Sequence, residues 1–162
     1  DPERTMQVLD ENGWFRTNDI ASMDKDGYYY IRGRLNNTIL GPSGENIYPE
    51  EIEMVINDMD GVDESLVMER DGELVALVKF DHNVLNWNQA YEDQFFEKVE
   101  SMKKSVLDFV NRAVGKNSKI GKVEAMKEPF EKTATQKIRR FKYKETAPTV
   151  EQEKKSKEDK KD

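Results

Sequence analysis

Apolar residues in the first part of the chain occur in short stretches that are separated by polar turns. Residues 20–23 and 28–32 flank the turn 24–27, which ends in an Asp-Gly pair. Short apolar stretches around such a turn are typical of a β-hairpin. We therefore predict a hairpin within residues 11–32.

The next segment combines two short strands with a helix. Extended stretches at 38–40 and 46–48 surround the loop 41–45, which contains two glycines and a proline. Pro49 suits the first position of a helix, and the two glutamates after it suit the positively charged N-terminal end. One apolar face then follows at helical spacing, formed by Ile52, Val55, Ile56 and Met59.

The middle of the chain predicts a second hairpin with one buried arm. Residues 64–69 and 73–80 flank the turn 70–72, and the run 74–78 is continuously apolar. A continuous apolar run is typical of a central strand that is covered on both faces. Residues 122–126 predict one more strand.

A long helix is predicted from residue 88 to residue 113, because apolar residues recur there at three- and four-residue spacing. Its core-facing stripe consists of Phe95, Val99, Met102, Val106, Phe109, Val110 and Ala113. Residues 128–140 are predicted to form a polar loop without core residues, and the charged stretch 151–162 cannot bury enough apolar area to fold. Together the elements predict an α+β fold with a small sheet of about three strands covered by helices.

The composition indicates one domain of ordinary size, since the chain has 162 residues, 36% apolar and 36% charged. The absence of cysteine excludes disulfides and thiolate metal sites and favours the cytoplasm. The single histidine, His82, has no second histidine for a metal pair, so we expect no metal site. No apolar run reaches the roughly 20 residues of a membrane span. The chain does not begin with Met, so we expect a fragment.

Charge is distributed unevenly along the chain. The net charge is −7, but residues 112–144 contain eleven basic and three acidic residues, which leaves −15 elsewhere. An acidic chain with a local basic segment suits a phosphate-bearing small molecule better than a polynucleotide. A solvated basic loop is equally compatible with the charge pattern.

Three polar clusters contain side chains that could do chemistry. In the first, Asp19 follows an aromatic pair and Asn18, a residue type that tolerates positive φ. A carboxylate so placed can accept two hydrogen bonds from a ribose diol, or it can cap a turn.

The other two clusters are basic or rich in glycine. Residues 33–37 and 44–53 are polar segments punctuated by glycine, which lets a ligand or another chain approach the backbone. Arg34 in this cluster can contact a ligand or pair with a surface acid. Residues 132–140 form a basic, hydroxyl-bearing loop that can offer an ammonium to a carboxylate or phosphate oxygen, or remain solvated.

Taken in this order, the clusters resemble the adenylate-forming superfamily of acyl-CoA synthetases, luciferases and peptide-synthetase adenylation domains. The resemblance runs from Gly13 to Arg140 and rests on four motifs together: W-F-R-T-N-D, D-G-Y-Y-Y-I-R-G-R, G-E-N-I-Y-P-E-E-I-E and K-T-A-T-Q-K-I-R-R. The third motif, with the preceding I-L-G-P-S, is most similar to bacterial long-chain fatty-acid CoA ligases.

The resemblance implies that a hinge at Asn36 divides the chain. Residues 1–35 would be hairpins from the edge of a large N-terminal adenylation domain. Residues 36–145 would be a mobile C-terminal domain, and residues 146–162 a disordered charged tail.

The resemblance also implies a role for each cluster. Lys137 would be the catalytic lysine of carboxylate adenylation, whereas Asp19 and Arg34 would bind the nucleotide. The CoA channel would be lined by Gly44, Glu45 and Asn46.

Three residues differ from the family pattern. Asn18 stands where Gly is usual before the ribose-binding acid, and Gln136 stands where Gly usually precedes the lysine. Asn36 occupies a hinge position that is usually Asp or Lys.

The implied activity is fatty-acyl-CoA synthesis by carboxylate adenylation followed by thioester formation. ATP, Mg²⁺ and CoA would be substrates or cofactors of the full-length enzyme, and we expect none bound to the fragment, which alone would be inactive. Its partners would be its own large N-terminal domain and a fatty acid, without nucleic acid or an integral membrane span; peripheral membrane contact stays open. The alternatives are a domain that loads a carrier-protein pantetheine and a non-catalytic interaction module with the same fold.

Overall fold

The computed structural model describes residues 1–85, 93–145 and 147–150. The helices are α1 (Pro2–Val8), α2 (Pro49–Asn57) and α3 (Asp93–Ala113). The strands are β1 (Asp19–Met23), β2 (Tyr29–Arg34), β3 (Ile39–Leu40), β4 (Asn46–Ile47), β5 (Val62–Arg70), β6 (Glu73–Phe80) and β7 (Lys122–Met126). Short 3₁₀ helices span Leu35–Asn37, Lys116–Ser118 and Arg140–Tyr143.

The three-stranded sheet of the α+β fold is confirmed, and its strand order is β5-β6-β7. The central strand β6 is antiparallel to β5 and parallel to β7. Ala76 and Val78 of β6 belong to one hydrophobic cluster, whereas Val75 and Leu77 belong to another. The prediction of a central strand covered on both faces is therefore also confirmed.

Helices α2 and α3 cover one face of this sheet. The buried residues of the two helices include Ile52, Ile56, Phe95, Val99, Val106 and Val110. The predicted stripe is wrong at Phe109, which is 44% exposed, and at Ala113, which is also exposed. Phe109 comes directly before the buried Val110, and one residue is about 100° around a helix, so the two cannot share a face. The predicted residues 88–92 of this helix lie outside the described residues.

The second face of the sheet is covered by irregular chain. The prediction that residues 128–140 contain no core residue is wrong, because Phe130 is 4% exposed. Its ring meets the Tyr143 ring edge-on at 5.2 Å, and the Tyr143 hydroxyl accepts a hydrogen bond from the backbone N–H of Glu131. Phe130 stands alone between Pro129 and Glu131, so no apolar run or period marks this core position in the sequence.

The start of the predicted tail also packs onto the sheet. Ala147 and Val150 are buried, and Thr149 forms an isolated β-bridge with Met126. Residue 146 and the charged stretch 151–162 lie outside the described residues. Among the helices of the described ranges, none has the length and apolar content that a membrane crossing requires.

The N-terminal hairpin is confirmed as an antiparallel pair of β1 and β2. In its turn, the Asp24 carboxylate accepts hydrogen bonds from the backbone N–H groups of Asp26 and Tyr28 at 2.9 and 3.0 Å. Helix α1 was not predicted from the sequence. It has no buried residue, and Asp1 caps its first turn through hydrogen bonds from Glu3 and Arg4.

Candidate functional site

The candidate lysine, Lys137, lies on a tight loop at the surface. The backbone of Thr133 donates to the Lys137 carbonyl at 2.8 Å, and Gln136 donates to the Thr133 carbonyl at 2.9 Å. A β-bridge between Lys132 and Ile138 closes the base of this loop. Gln136 has φ 62°, in the left-handed region that usually takes glycine after a hairpin turn.

Several other basic residues of this segment are paired with acids. Lys132 forms an ion pair with Glu64, and Lys142 forms one with Glu131. Lys137 differs, because its exposed ammonium makes no hydrogen bond or ion pair with any described residue. The loop therefore presents a free cation on a fixed base.

Arg140 fixes the C-terminal end of this loop to helix α2 and strand β5. Its guanidinium donates to Glu53 Oε2 at 2.5 Å and to the carbonyl of Val67 at 3.2 Å. Glu53 Oε1 in turn accepts from the backbone N–H of Val67 at 2.7 Å. Burial raises the pKa of the Glu53 carboxyl, and the Arg140 charge opposes this effect.

The two residues predicted to bind the nucleotide lie opposite each other on the hairpin. Asp19 of β1 pairs with Arg34 of β2 in the strand register, and Arg34 Nε lies 2.8 Å from Asp19 Oδ1. Arg34 Nη1 also donates to the carbonyl of Thr17 at 3.2 Å. Asn18, between Thr17 and Asp19, has φ 58°, and its residue type suggested this positive φ. The acid that Arg34 could pair with is thus Asp19 itself.

Asn36, the predicted hinge, lies in the 3₁₀ helix that directly follows β2. Its neighbour Asn37 donates through Nδ2 to Glu50 Oε1 at 2.5 Å. Asn36, Asn37 and Arg140 line the same groove of about 410 Å³. The structure therefore brings the hinge segment close to the base of the Lys137 loop.

The glycine loop forms a closed turn between β3 and β4. Gly44 donates to the Gly41 carbonyl at 2.9 Å, and Gly41 donates to the Glu45 carbonyl at 2.8 Å. The Glu45 carboxylate folds back and accepts from the N–H of Ser43 at 3.0 Å, while Asn46 stays exposed. Gly44 has φ 82°, and the space where its Cβ would lie is open.

A groove of about 680 Å³ begins at this loop. Its far wall comes from the chain between α3 and β7, including Lys116, Lys119 and Gly121. Within the described ranges no group of three or more acidic or histidine residues is arranged to hold a metal ion. This groove and the Lys137 loop each place basic side chains beside open space.

Known proteins with similar sequences and structures are acyl-CoA ligases and related enzymes. FadD13 of Mycobacterium tuberculosis, a long-chain-fatty-acid–CoA ligase, is 43% identical over 100 residues, which are 59% of this chain and 19% of that protein. ScoC of Streptomyces coeruleorubidus, a fatty acid–[acyl-carrier-protein] ligase, is 44% identical over 78 residues, 46% of this chain and 15% of that protein. ATP-bound MatB from Rhodopseudomonas palustris superposes with a TM-score of 0.61 at 27% identity, covering 89% of this chain and 27% of MatB.

The chain matches the C-terminal domain of AMP-forming acyl-CoA ligases. It spans less than a fifth of the length of FadD13 or ScoC. No protein-family model matches it.

Within the described residues the structure joins some of the predicted site residues and leaves others apart. Asp19 and Arg34 form a pair, whereas the Lys137 ammonium makes no hydrogen bond or ion pair with either of them. Two acids that sequence reasoning did not single out, Glu50 and Glu53, connect the hinge segment and the lysine loop. The available signal was Glu53 itself, an acid between Ile52 and Ile56 on the apolar side of α2.

Proposed function

We propose that the chain is the C-terminal part of an ATP-dependent, AMP-forming fatty-acyl-CoA synthetase. Residues 1–35 would belong to the edge of its large domain, and the remainder to a domain that turns at Asn36. The observation that carries the proposal is the free ammonium of Lys137, which is presented on a closed loop within a ligase-like fold. The 43% identity to FadD13 supports a long-chain acid as the substrate.

In the first step the fatty-acid carboxylate attacks the α-phosphate of ATP, and pyrophosphate leaves. The Lys137 ammonium stabilises the negative charge that develops in this transition state. Asp19 accepts hydrogen bonds from the ribose hydroxyls through the oxygen that Arg34 does not occupy. Arg34 contacts the nucleotide from the same side, and Mg²⁺ enters with the ATP phosphates.

In the second step the domain turns at Asn36 and withdraws Lys137. The loop of Gly44, Glu45 and Asn46 then lines the channel for the pantetheine arm of CoA. The left-handed φ of Gly44 and the open space beside it suit close passage of a ligand. The CoA thiol attacks the acyl-adenylate carbonyl, which forms the thioester and releases AMP.

A second acceptor is favoured by one specific observation. ScoC, which transfers to an acyl-carrier protein by its name, is 44% identical over 78 residues. The pantetheine arm is chemically the same in CoA and in a carrier protein. The alternative function is therefore adenylation followed by transfer to a carrier-protein pantetheine.

The test is Lys137→Ala in the full-length enzyme, with the two steps measured separately. Pyrophosphate exchange driven by a long-chain fatty acid should fall about a hundredfold or more. Thioester formation from supplied acyl-adenylate should survive. Lys142→Ala is the matched control, because this exposed lysine of the same segment already pairs with Glu131.

Each outcome has a defined meaning. Unchanged exchange in Lys137→Ala contradicts the proposed role of the loop. A thioester that forms with holo-acyl carrier protein but not with CoA replaces the first acceptor with the second.

A further inference from the structure

A cluster of Glu50, Glu53 and Arg140 connects the hinge segment to the base of the Lys137 loop. Arg140 follows Lys137 by three residues. Its Nη2 lies 2.5 Å from Glu53 Oε2 and 3.6 Å from Glu50 Oε1. Both acids project from helix α2, so the loop position depends on this helix.

The Glu53 side of the cluster is a rigid anchor. Glu53 is 8% exposed, and Val67 of β5 offers its N–H to Glu53 and its carbonyl to Arg140. A planar guanidinium can satisfy a carboxylate and a carbonyl at fixed angles, whereas the single ammonium of lysine cannot reproduce this fork. Arg140 therefore holds the end of the loop in one orientation.

The Glu50 side reaches the hinge. Glu50 Oε1 accepts from Asn37 Nδ2 at 2.5 Å, and the same oxygen faces Arg140. Glu50 Oε2 is buried without a hydrogen-bond partner among the described residues, and it lies 2.7 Å from where a Cβ on Gly33 would be. One carboxylate thus contacts the residue after Asn36 and the arginine that supports Lys137.

We propose that Arg140 is a positioning residue for Lys137, and that Glu50 makes this position sensitive to the hinge segment through Asn37. This inference rests on the proposed function, because it concerns how Lys137 is placed for adenylation. Glu50 Oε1 is shared between Asn37 and Arg140, so a change in its contact with Asn37 also changes its interaction with Arg140. The lysine loop and the hinge then respond together.

The first experiment compares Arg140→Lys and Glu53→Gln in the full-length enzyme. Pyrophosphate exchange should fall at least tenfold in each, whereas thioester formation from supplied acyl-adenylate should stay within twofold of wild type. The control is Glu124→Gln, which removes the acid of another partly buried ion pair, with Arg70 at 2.9 Å, away from the lysine loop. It should affect both steps equally or neither.

The second experiment tests the connection to the hinge by a double-mutant cycle of Asn37→Ala and Arg140→Lys. Residues that share a partner give non-additive effects. The loss of exchange in the double variant should therefore differ from the product of the two single losses. Multiplying losses would contradict the role of Glu50. Equal loss of both steps in Arg140→Lys and Glu53→Gln would reduce Arg140 to a structural role.

Lys137→Ala, assayed alongside, separates this inference from the proposed function. One outcome is that Lys137→Ala lowers pyrophosphate exchange and spares thioester formation while the Arg140 and Glu53 variants do not. In that case the positioning inference is overturned and the proposed function stands. If Lys137→Ala leaves exchange intact, both fail.

Discussion

At the scale of single residues, the backbone takes a left-handed conformation just before two of the candidate residues, Asp19 and Lys137. Asn18 has φ 58° before Asp19, and Gln136 has φ 62° before Lys137. These are the two positions where the family pattern has glycine, so the requirement for positive φ explains that pattern physically. Asn tolerates this region well and Gln does so less. The chain therefore keeps the geometry at some cost in stability at Gln136.

Replacing Gln136 by glycine should remove this cost. Relief of the left-handed strain outweighs the extra flexibility of glycine in the unfolded chain, so we expect Gln136→Gly to raise the free energy of unfolding by about 0.5–1 kcal/mol. The measurement is urea unfolding of the 162-residue chain. Asn18→Gly is the matched control and should gain less than half as much. A loss of stability in Gln136→Gly would show that the Gln side chain contributes more than its backbone costs.

At the scale of elements, the sequence predicts those whose apolar periodicity is local. The hairpin of β1 and β2, the central β6 and the helix α2 are confirmed because their patterns lie within one short window. Helix α1 was missed because it buries no residue, and Phe130 was missed because it is an isolated apolar residue between Pro129 and Glu131. The contact of Arg140 with Glu53 joins residues 87 apart, which no local pattern encodes.

Two acids that tie elements together should have opposite effects on the pH dependence of stability. Burial raises the pKa of Glu53 above the ordinary 4.5, so the folded chain binds its proton more tightly than the unfolded chain. Burial also acts to raise the pKa of Glu124, but the hydrogen bond and charge of Lys122 and the nearby Arg70 outweigh it and lower that pKa. Glu53 therefore makes stability fall as pH rises from 4.5 through its raised pKa. Glu124 supplies stability above 4.5 that is lost as pH falls through its lowered pKa.

Urea unfolding of wild type, Glu53→Gln and Glu124→Gln across about pH 3–7 measures both effects. As pH falls through the upper window, wild type should gain stability relative to Glu53→Gln. As pH falls further, wild type should lose stability relative to Glu124→Gln. Parallel curves for the three chains would contradict the opposite signs.

At the scale of the whole molecule, one face of the N-terminal hairpin is apolar and uncovered. Tyr29 is 73% exposed and Ile31 is 66% exposed, and Met23 lies beside Tyr29 in the strand register. Trp14 and Phe15, just before the hairpin, are exposed as well. Apolar patches of this kind are rare on monomeric surfaces that have no partner. The patch is the surface that the proposed large domain would cover, and sequence alone could predict its residues but not their shared face.

Replacing two residues of this face should reduce the exposed apolar surface without changing the stability of the fold. Tyr29 and Ile31 alternate with Tyr30 and Arg32, so Tyr29→Ser with Ile31→Thr changes one face of the strand and spares the Arg32–Glu51 ion pair at 2.9 Å. In the 162-residue chain the double variant should bind less of the dye ANS, while its unfolding midpoint stays close to wild type. Met6→Ser, at an exposed apolar residue of α1, is the control and should leave dye binding nearly unchanged.

The same double variant in the full-length enzyme tests what covers the patch. If the large domain packs on this face, burying Ser and Thr there removes apolar contact, and thermal unfolding of the full-length enzyme should occur at a lower temperature. The isolated chain does not make those contacts, so its unfolding midpoint should not fall. An equal shift in both proteins would mean that the face stabilises the hairpin itself, and no shift in either would mean that the large domain packs elsewhere.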